Sequence, residues 1–239
     1  MLRDKIWVLV IYEMNTDKEV TLRGNAGQLE ALLWTPGHPE KIPLAAVICH
    51  PHPLYQGTMH NKVVYQAAKA VESVGIPALR FNFRGVGASA GSYDHGRGEE
   101  DDVRTALDFL SAEFPHVPLL AAGFSFGAWV GLRAGCLDSR VVALMGIGLP
   151  IDDPKLSFEY LRTCEKPKLL LQGENDQYAA RRHVESLSAR FSSDAAAATR
   201  LVFIPGDHFF TGYLDQMRNA IRGWLIERLG ELHPSSASS

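Results

Sequence analysis

The sequence predicts an α/β fold, with a mostly parallel central sheet of about eight strands and helices on both faces. Three observations point there. Short apolar, β-branched runs recur along the chain, helical patterns fill the gaps between the later runs, and turn-forming residues separate the two. The first two runs, at 19–23 and 29–34, flank Gly24-Asn25-Ala26-Gly27 and read as an antiparallel hairpin. Further runs fall at 44–49, 77–82, 118–122, 141–147, 167–172 and 200–204. Helical patterns at 61–74, 98–113, 126–136, 180–190 and 211–230 alternate with them, as βα units require. Right-handed crossovers then bring the carboxyl ends of the parallel strands to one edge, where such sheets hold their sites.

The 239 residues, 46% hydrophobic and 21% charged, fit one soluble domain. A net charge of -3, with both signs interspersed, gives no surface for nucleic acid. The expected division is an N-terminal extension at 1–18, one domain at 19–230 and a Ser-rich flexible tail at 231–239. Within the extension, the apolar run Ile6–Tyr12 is too short to cross a bilayer, and Glu13 ends it without a small-residue cleavage site. It reads as an extra edge strand, through which two copies could pair as a homodimer, or as an extension from a start upstream of Met14. Cys49, Cys136 and Cys164 show no CxxC spacing, which argues against a disulfide framework or a zinc site. They read as reduced thiols of a cytoplasmic protein, with Cys49 a small buried residue in an apolar run.

Gly123-Phe124-Ser125-Phe126-Gly127 has the form G-x-S-x-G. The run before it reads as a buried strand and the run after it as the start of a buried helix, so Ser125 falls on a sharp strand-to-helix turn. Small flanking residues are needed there because a Cβ would clash. The helix start behind the serine favours developing negative charge. Two later strands end in candidate partners. Lys168–Gln172 leads to Asp176, and Leu201–Ile204 leads to His208. A serine hydroxyl is a weak nucleophile until a base takes its proton, which His208 can do near neutral pH. Asp176 would orient the ring and stabilise the imidazolium. Asp207 and Glu174 are rival acids, but Asp207 adjoins His208 and would not face it from an extended turn.

Segments 49–62, 80–89 and 123–127 together resemble compact, lidless bacterial α/β-hydrolases related to dienelactone hydrolases and serine peptidase-like esterases. The resemblance runs from about Glu19 to about Leu229 and implies the α/β-hydrolase fold with the set Ser125, Asp176 and His208. It also implies an oxyanion hole built from the Phe126 N–H and an amide of the loop after the third strand, placed at His52. The family reads Gly-Gly where this chain has Gln56-Gly57, which leaves Leu54 as an alternative donor. Dienelactone hydrolases proper use a cysteine nucleophile, so Ser125 favours ordinary ester cleavage.

Other features have simpler readings. His50, His52 and His60 have no metal-site spacing, and His50 is expected to hydrogen-bond the backbone beneath the oxyanion loop. Gly85-Val86-Gly87-Ala88-Ser89-Ala90 lacks the helix and acidic residue of a dinucleotide site, so it reads as a loop anchored by Arg84. The helix dipole accounts for Glu99, Glu100, Asp101 and Asp102 in a first turn. Tyr55, Phe124, Tyr178 and Phe209 are candidates for the substrate pocket; Tyr178, Phe209 and Phe210 read equally as pocket residues or as core residues near the sheet ends. Only Leu149 to Pro167 is available for a lid, enough for a short helix at Lys155–Thr163. The expectation is an open-site serine hydrolase, a carboxylesterase for short-chain esters needing neither metal nor cofactor. A peptidase or thioesterase using the same residues, or a non-catalytic protein on the same fold, are the alternatives.

Overall fold

A computed structural model describes residues 17–37 and 42–232. The expected strand at Ile6–Tyr12, and with it the homodimer contact, lies outside the described residues, as does the tail from His233. Eight strands form one sheet in the order β1-β2-β4-β3-β5-β6-β7-β8. β1 (Lys18–Gly24) and β2 (Gly27–Trp34) form the expected hairpin, and β2 runs antiparallel to β4 (Ala78–Phe81). The remaining pairs are parallel: β3 (Ala45–Cys49), β5 (Leu119–Phe124), β6 (Val141–Ile147), β7 (Lys168–Gly173) and β8 (Thr199–Ile204).

The period-2 alternation of each parallel strand divides the core into two layers. Ala45, Val47 and Cys49 of β3 face one side, with α2 (Arg97–Glu113) and α3 (Phe126–Leu137); Ala46 and Ile48 face the other, with α1 (Lys62–Glu72) and α6 (Leu214–Leu232). Because both faces are covered, these strands are continuous hydrophobic runs. α4 (Arg181–Ser188) matches a helical pattern, and the short α5 (Ser193–Ala197) is one the periodicity did not announce. None of the described helices is long and apolar enough to cross a membrane.

The expected helix at Lys155–Thr163 is instead a turn-rich segment with one 3-10 turn, Glu159–Arg162. The Trp129 indole N–H donates to the Ser157 carbonyl at 3.0 Å, and the Leu161 N–H, which a helix would direct to that carbonyl, closes a tighter turn on the Phe158 carbonyl at 3.0 Å. This segment packs on α3, where the Tyr160 hydroxyl also donates to the Trp129 carbonyl.

Candidate active site

Ser125 links β5 to α3 at φ 57°, ψ -122°, a backbone conformation that costs about 1–3 kcal/mol in a non-glycine residue. Close packing maintains it. A Cβ on Gly127 would stand 2.4 Å from the His50 carbonyl oxygen, so the end of β3 lies directly against the start of α3. The turn therefore needs a glycine at 127, and the serine projects from the carboxyl edge of the sheet.

His208 joins the three sequence candidates. Its Nε2 is 3.0 Å from Ser125 Oγ and its Nδ1 is 2.7 Å from Asp176 Oδ2. Both His208 and Asp176 are buried, so the contact is shielded from competing water. The loop after β7 fixes the carboxylate: the Tyr178 N–H donates to Asp176 Oδ1 at 2.8 Å, and Gln172 Nε2 donates to Oδ2 at 2.6 Å. Gln172 in turn accepts from the Leu149 N–H at 2.9 Å. Sequence reasoning missed Gln172, whose one signal was a single amide ending a leucine run. The rival acids are occupied elsewhere. Asp207 accepts from the Phe209 and Thr211 N–H groups and the Thr211 hydroxyl, and Glu174 pairs with Arg181 at the surface. Those bonds to Thr211 and Phe209 hold the Asp207 carboxyl below its ordinary range.

The loop after β3 is built on two neutral imidazoles. His50 is fully buried; its Nδ1–H donates to the Pro51 carbonyl at 2.6 Å and its Nε2 accepts from the Phe83 N–H at 3.0 Å. Burial pushes its pKa down to about 4. His52 Nδ1 accepts from the Leu54 N–H at 3.2 Å, which places the ring proton on Nε2, 3.1 Å from the Tyr93 hydroxyl. Burial lowers the pKa of this imidazole too. Both rings thus spend their lone pairs on N–H groups and offer none to a metal. Among the described residues no cluster of histidine, cysteine and acidic side chains could hold one. Gln56 adopts the left-handed conformation, φ 62°, where the resembling family has glycine, so the loop keeps its turn without that residue. With the Leu54 amide engaged by His52, the His52 amide is the donor candidate that remains from this loop, alongside the Phe126 amide.

An open cavity of about 420 Å³ lies over Ser125 and His208. Tyr55, Tyr178 and Phe209 line it, as the sequence suggested, together with Asn61, Asp153 and Leu156. Phe124 does not line it. Its position at the end of β5 turns the ring inward, where it is fully buried beneath His208 at a centroid distance of 4.8 Å. Phe210 likewise belongs to the core. The acidic residues at the start of α2 do more than answer a helix dipole. Glu99 accepts from the Asp94 and Gly96 N–H groups at 2.8 and 2.7 Å, and Glu100 pairs with Arg104 and Arg133. Asp102 holds Arg84 through its backbone N–H and its guanidinium, which fixes the loop that carries Tyr93. Those bonds to Asp102 hold the Arg84 pKa above its ordinary value.

No protein-family model matches the sequence. The fold and much of the sequence are nonetheless shared with solved structures. An α/β serine hydrolase homologue from Coxiella burnetii is 35% identical, with a TM-score of 0.79 over 87% of this chain and 97% of that one. A lidless α/β serine hydrolase from Xanthomonas campestris is 34% identical, with a TM-score of 0.77 over 89% and 94% of the two chains. The mitochondrial palmitoyl-protein thioesterase ABHD10 of Rattus norvegicus is 29% identical over 126 residues, 51% of this chain and 41% of that protein. With a serine turn, an adjoining imidazole and carboxylate, no cap domain over them among the described residues, and likeness above 30% identity over 87–89% of its length, the chain belongs to the compact, lidless bacterial α/β serine hydrolases.

Proposed function

We infer that this hydrolase is a carboxylesterase that cleaves short-chain acyl esters through an acyl-enzyme, with Ser125 as nucleophile, His208 as base and Asp176 as the orienting acid. The observation that carries the reading is the placement of His208, within hydrogen-bond reach of both Ser125 Oγ and Asp176 at the floor of an open cavity. Ser125 Oγ attacks the ester carbonyl carbon as its proton passes to His208 Nε2. Asp176 accepts the Nδ1–H bond and stabilises the imidazolium. The oxyanion so formed is met by the Phe126 N–H, at a helix start, and by the His52 N–H. On collapse the alcohol leaves with the proton from Nε2. Water then gives a proton to Nε2, attacks the acyl carbon, and releases the carboxylic acid and free serine.

The cavity's size supports small substrates, since about 420 Å³ is near the lower end of the roughly 300–1000 Å³ that ligand pockets span. A second reading, thioester cleavage, draws support from the partial likeness to a thioesterase; the chemistry at Ser125 would be the same. Turnover of p-nitrophenyl acetate, butyrate and octanoate, and of matched acyl thioesters, tests both. Ser125→Ala is expected to lower kcat by about 10⁴-fold or more while the protein stays folded. Butyrate should exceed octanoate in kcat/KM. Equal rates in wild type and Ser125→Ala would overturn the nucleophile, and faster octanoate turnover would overturn the chain-length preference.

A further inference from the structure

Away from the active site, α3 ends beside the connection leading into β7. Cys136 lies in the last turn of α3, and Cys164 follows the 3-10 turn Glu159–Arg162. The two residues are 28 positions apart, yet their sulphurs are 2.7 Å from each other. The elements around them are pinned. The Tyr160 hydroxyl donates to the Trp129 carbonyl at 3.0 Å, and Lys166 Nζ donates to the Gly135 carbonyl at 2.7 Å. Bringing the sulphurs together therefore requires no loop rearrangement. A second ammonium lies nearby. Lys168 is fully buried, and its Nζ donates to the Ala195 carbonyl and to Thr199 Oγ1, both at 3.2 Å. Neither of those partners is charged, and a buried ammonium without an anion is costly. A thiolate beside it would supply the missing charge.

We propose that Cys136 and Cys164 are a reversible disulfide-forming pair that ties the C-terminal end of α3 to the segment entering β7. Cys164 is the attacking sulphur. A hydrogen bond from the Cys136 thiol, the Lys166 N–H and the charges of Lys168 and Lys166 together lower its pKa, against the opposing effect of burial. The oxidant is a peroxide. The Cys164 thiolate attacks one oxygen of hydrogen peroxide, the O–O bond breaks, and the departing hydroxide takes a proton from solvent as water. Cys136 sulphur then attacks the resulting sulfenic acid. The S–O bond breaks, and the second hydroxide leaves as water with the Cys136 thiol proton. Two thiols and one peroxide become one disulfide and two waters, with two electrons passing from sulphur to peroxide. An added dithiol reverses the change by thiol–disulfide exchange.

The pair stands a helix length from Ser125, about 16 Å along α3. Oxidation is therefore expected to leave ester turnover unchanged and to act on stability. By restricting the unfolded chain, a crosslink across this span should raise Tm by about 10 °C. The test treats folded wild-type protein with hydrogen peroxide, unfolds it in the presence of an alkylating agent and maps the peptides. The expected result is a linked 136–164 peptide, restored to two free thiols by dithiothreitol, with the fully buried Cys49 still alkylated as a thiol. The oxidised protein should melt about 10 °C higher. The proposal falls if Cys136 and Cys164 both remain alkylated, if Cys164 ends as a sulfinic acid, if either pairs with Cys49, or if the linked protein melts no higher. Cys136→Ser should leave a dimedone-reactive sulfenic acid at Cys164. Should that variant fail to fold, the wild-type peptide map decides the matter alone.

Discussion

Gly148, which no motif marked, governs whether His208 can hold both of its partners. Its φ is +55°, and a Cβ there would stand 3.2 and 3.3 Å from His208 Cε1 and Nδ1 and 2.9 Å from Phe124 Cε2. The ring cannot retreat, because Phe124 packs against its inner face and Tyr178 against its outer side at 4.7 Å. An added methyl therefore requires Phe124 to shift and the imidazole resting on it to give by a few tenths of an ångström. A full 1 Å misplacement at a reacting group costs about 10²-fold in rate, and a few tenths cost correspondingly less. Gly148→Ala is thus expected to lower kcat for p-nitrophenyl butyrate by about 10-fold with little change in KM. A kcat equal to wild type would show that the Gly148 backbone yields instead of the ring.

The elements around the site are held by pairs that the sequence showed only as composition. Four acidic residues at the start of α2 suggested a response to the helix dipole, an effect that fades within one turn. Folding instead brings Arg84, on the loop after β4, against Asp102, which is fully buried and receives one backbone and two guanidinium N–H groups. Removing that carboxylate strands a guanidinium whose side chain is only 12% exposed. Asp102→Ala should therefore cost about 3 kcal/mol in urea or guanidinium unfolding, the lower end of what breaking a buried pair costs. A loss below about 1 kcal/mol would mean that Arg84 finds water or another acid. This pairing was invisible in the sequence because it joins a loop residue to a helix residue 18 positions away. Distance along the chain likewise hid the meeting of Cys136 with Cys164, 28 positions apart. The failed helix at 155–163 has a different cause, since the Trp129 indole took the Ser157 carbonyl that the periodic pattern had assigned to a helix.

At the scale of the whole molecule, the opening hairpin, the mostly parallel sheet and its carboxyl edge were legible because alternating runs and crossover handedness admit few arrangements. Ser125, Asp176 and His208 were legible for the same reason, each following a strand that had to end at that edge. Phe124 was misread because position next to the serine says nothing about which side of the strand its ring takes. The role expected of His50 beneath the loop also has a consequence for the entire fold, because its ring joins the end of β3 to the residues after β4 in the neutral form alone. Its folded pKa is about 4, against 6.5 for the unfolded group. Such a depressed imidazole contributes stability that is fully present above the unfolded pKa. The contribution is lost as pH falls from 6.5 towards 4, because the unfolded chain then binds a proton the folded one refuses. Between pH 7 and pH 4.5 the loss from this one residue is about 2 kcal/mol. His52, also lowered by burial, adds to it with the same sign. Titrating carboxylates change stability over an overlapping range, so the comparison must be made against a variant that keeps them. Glutamine can present an oxygen to the Phe83 N–H without titrating. His50→Gln is expected to be less stable than wild type at pH 7, yet to lose about 2 kcal/mol less on going to pH 4.5 in matched denaturant titrations. Parallel losses in the two proteins would show that His50 takes up its proton in the folded state without breaking the contacts on which the loop rests.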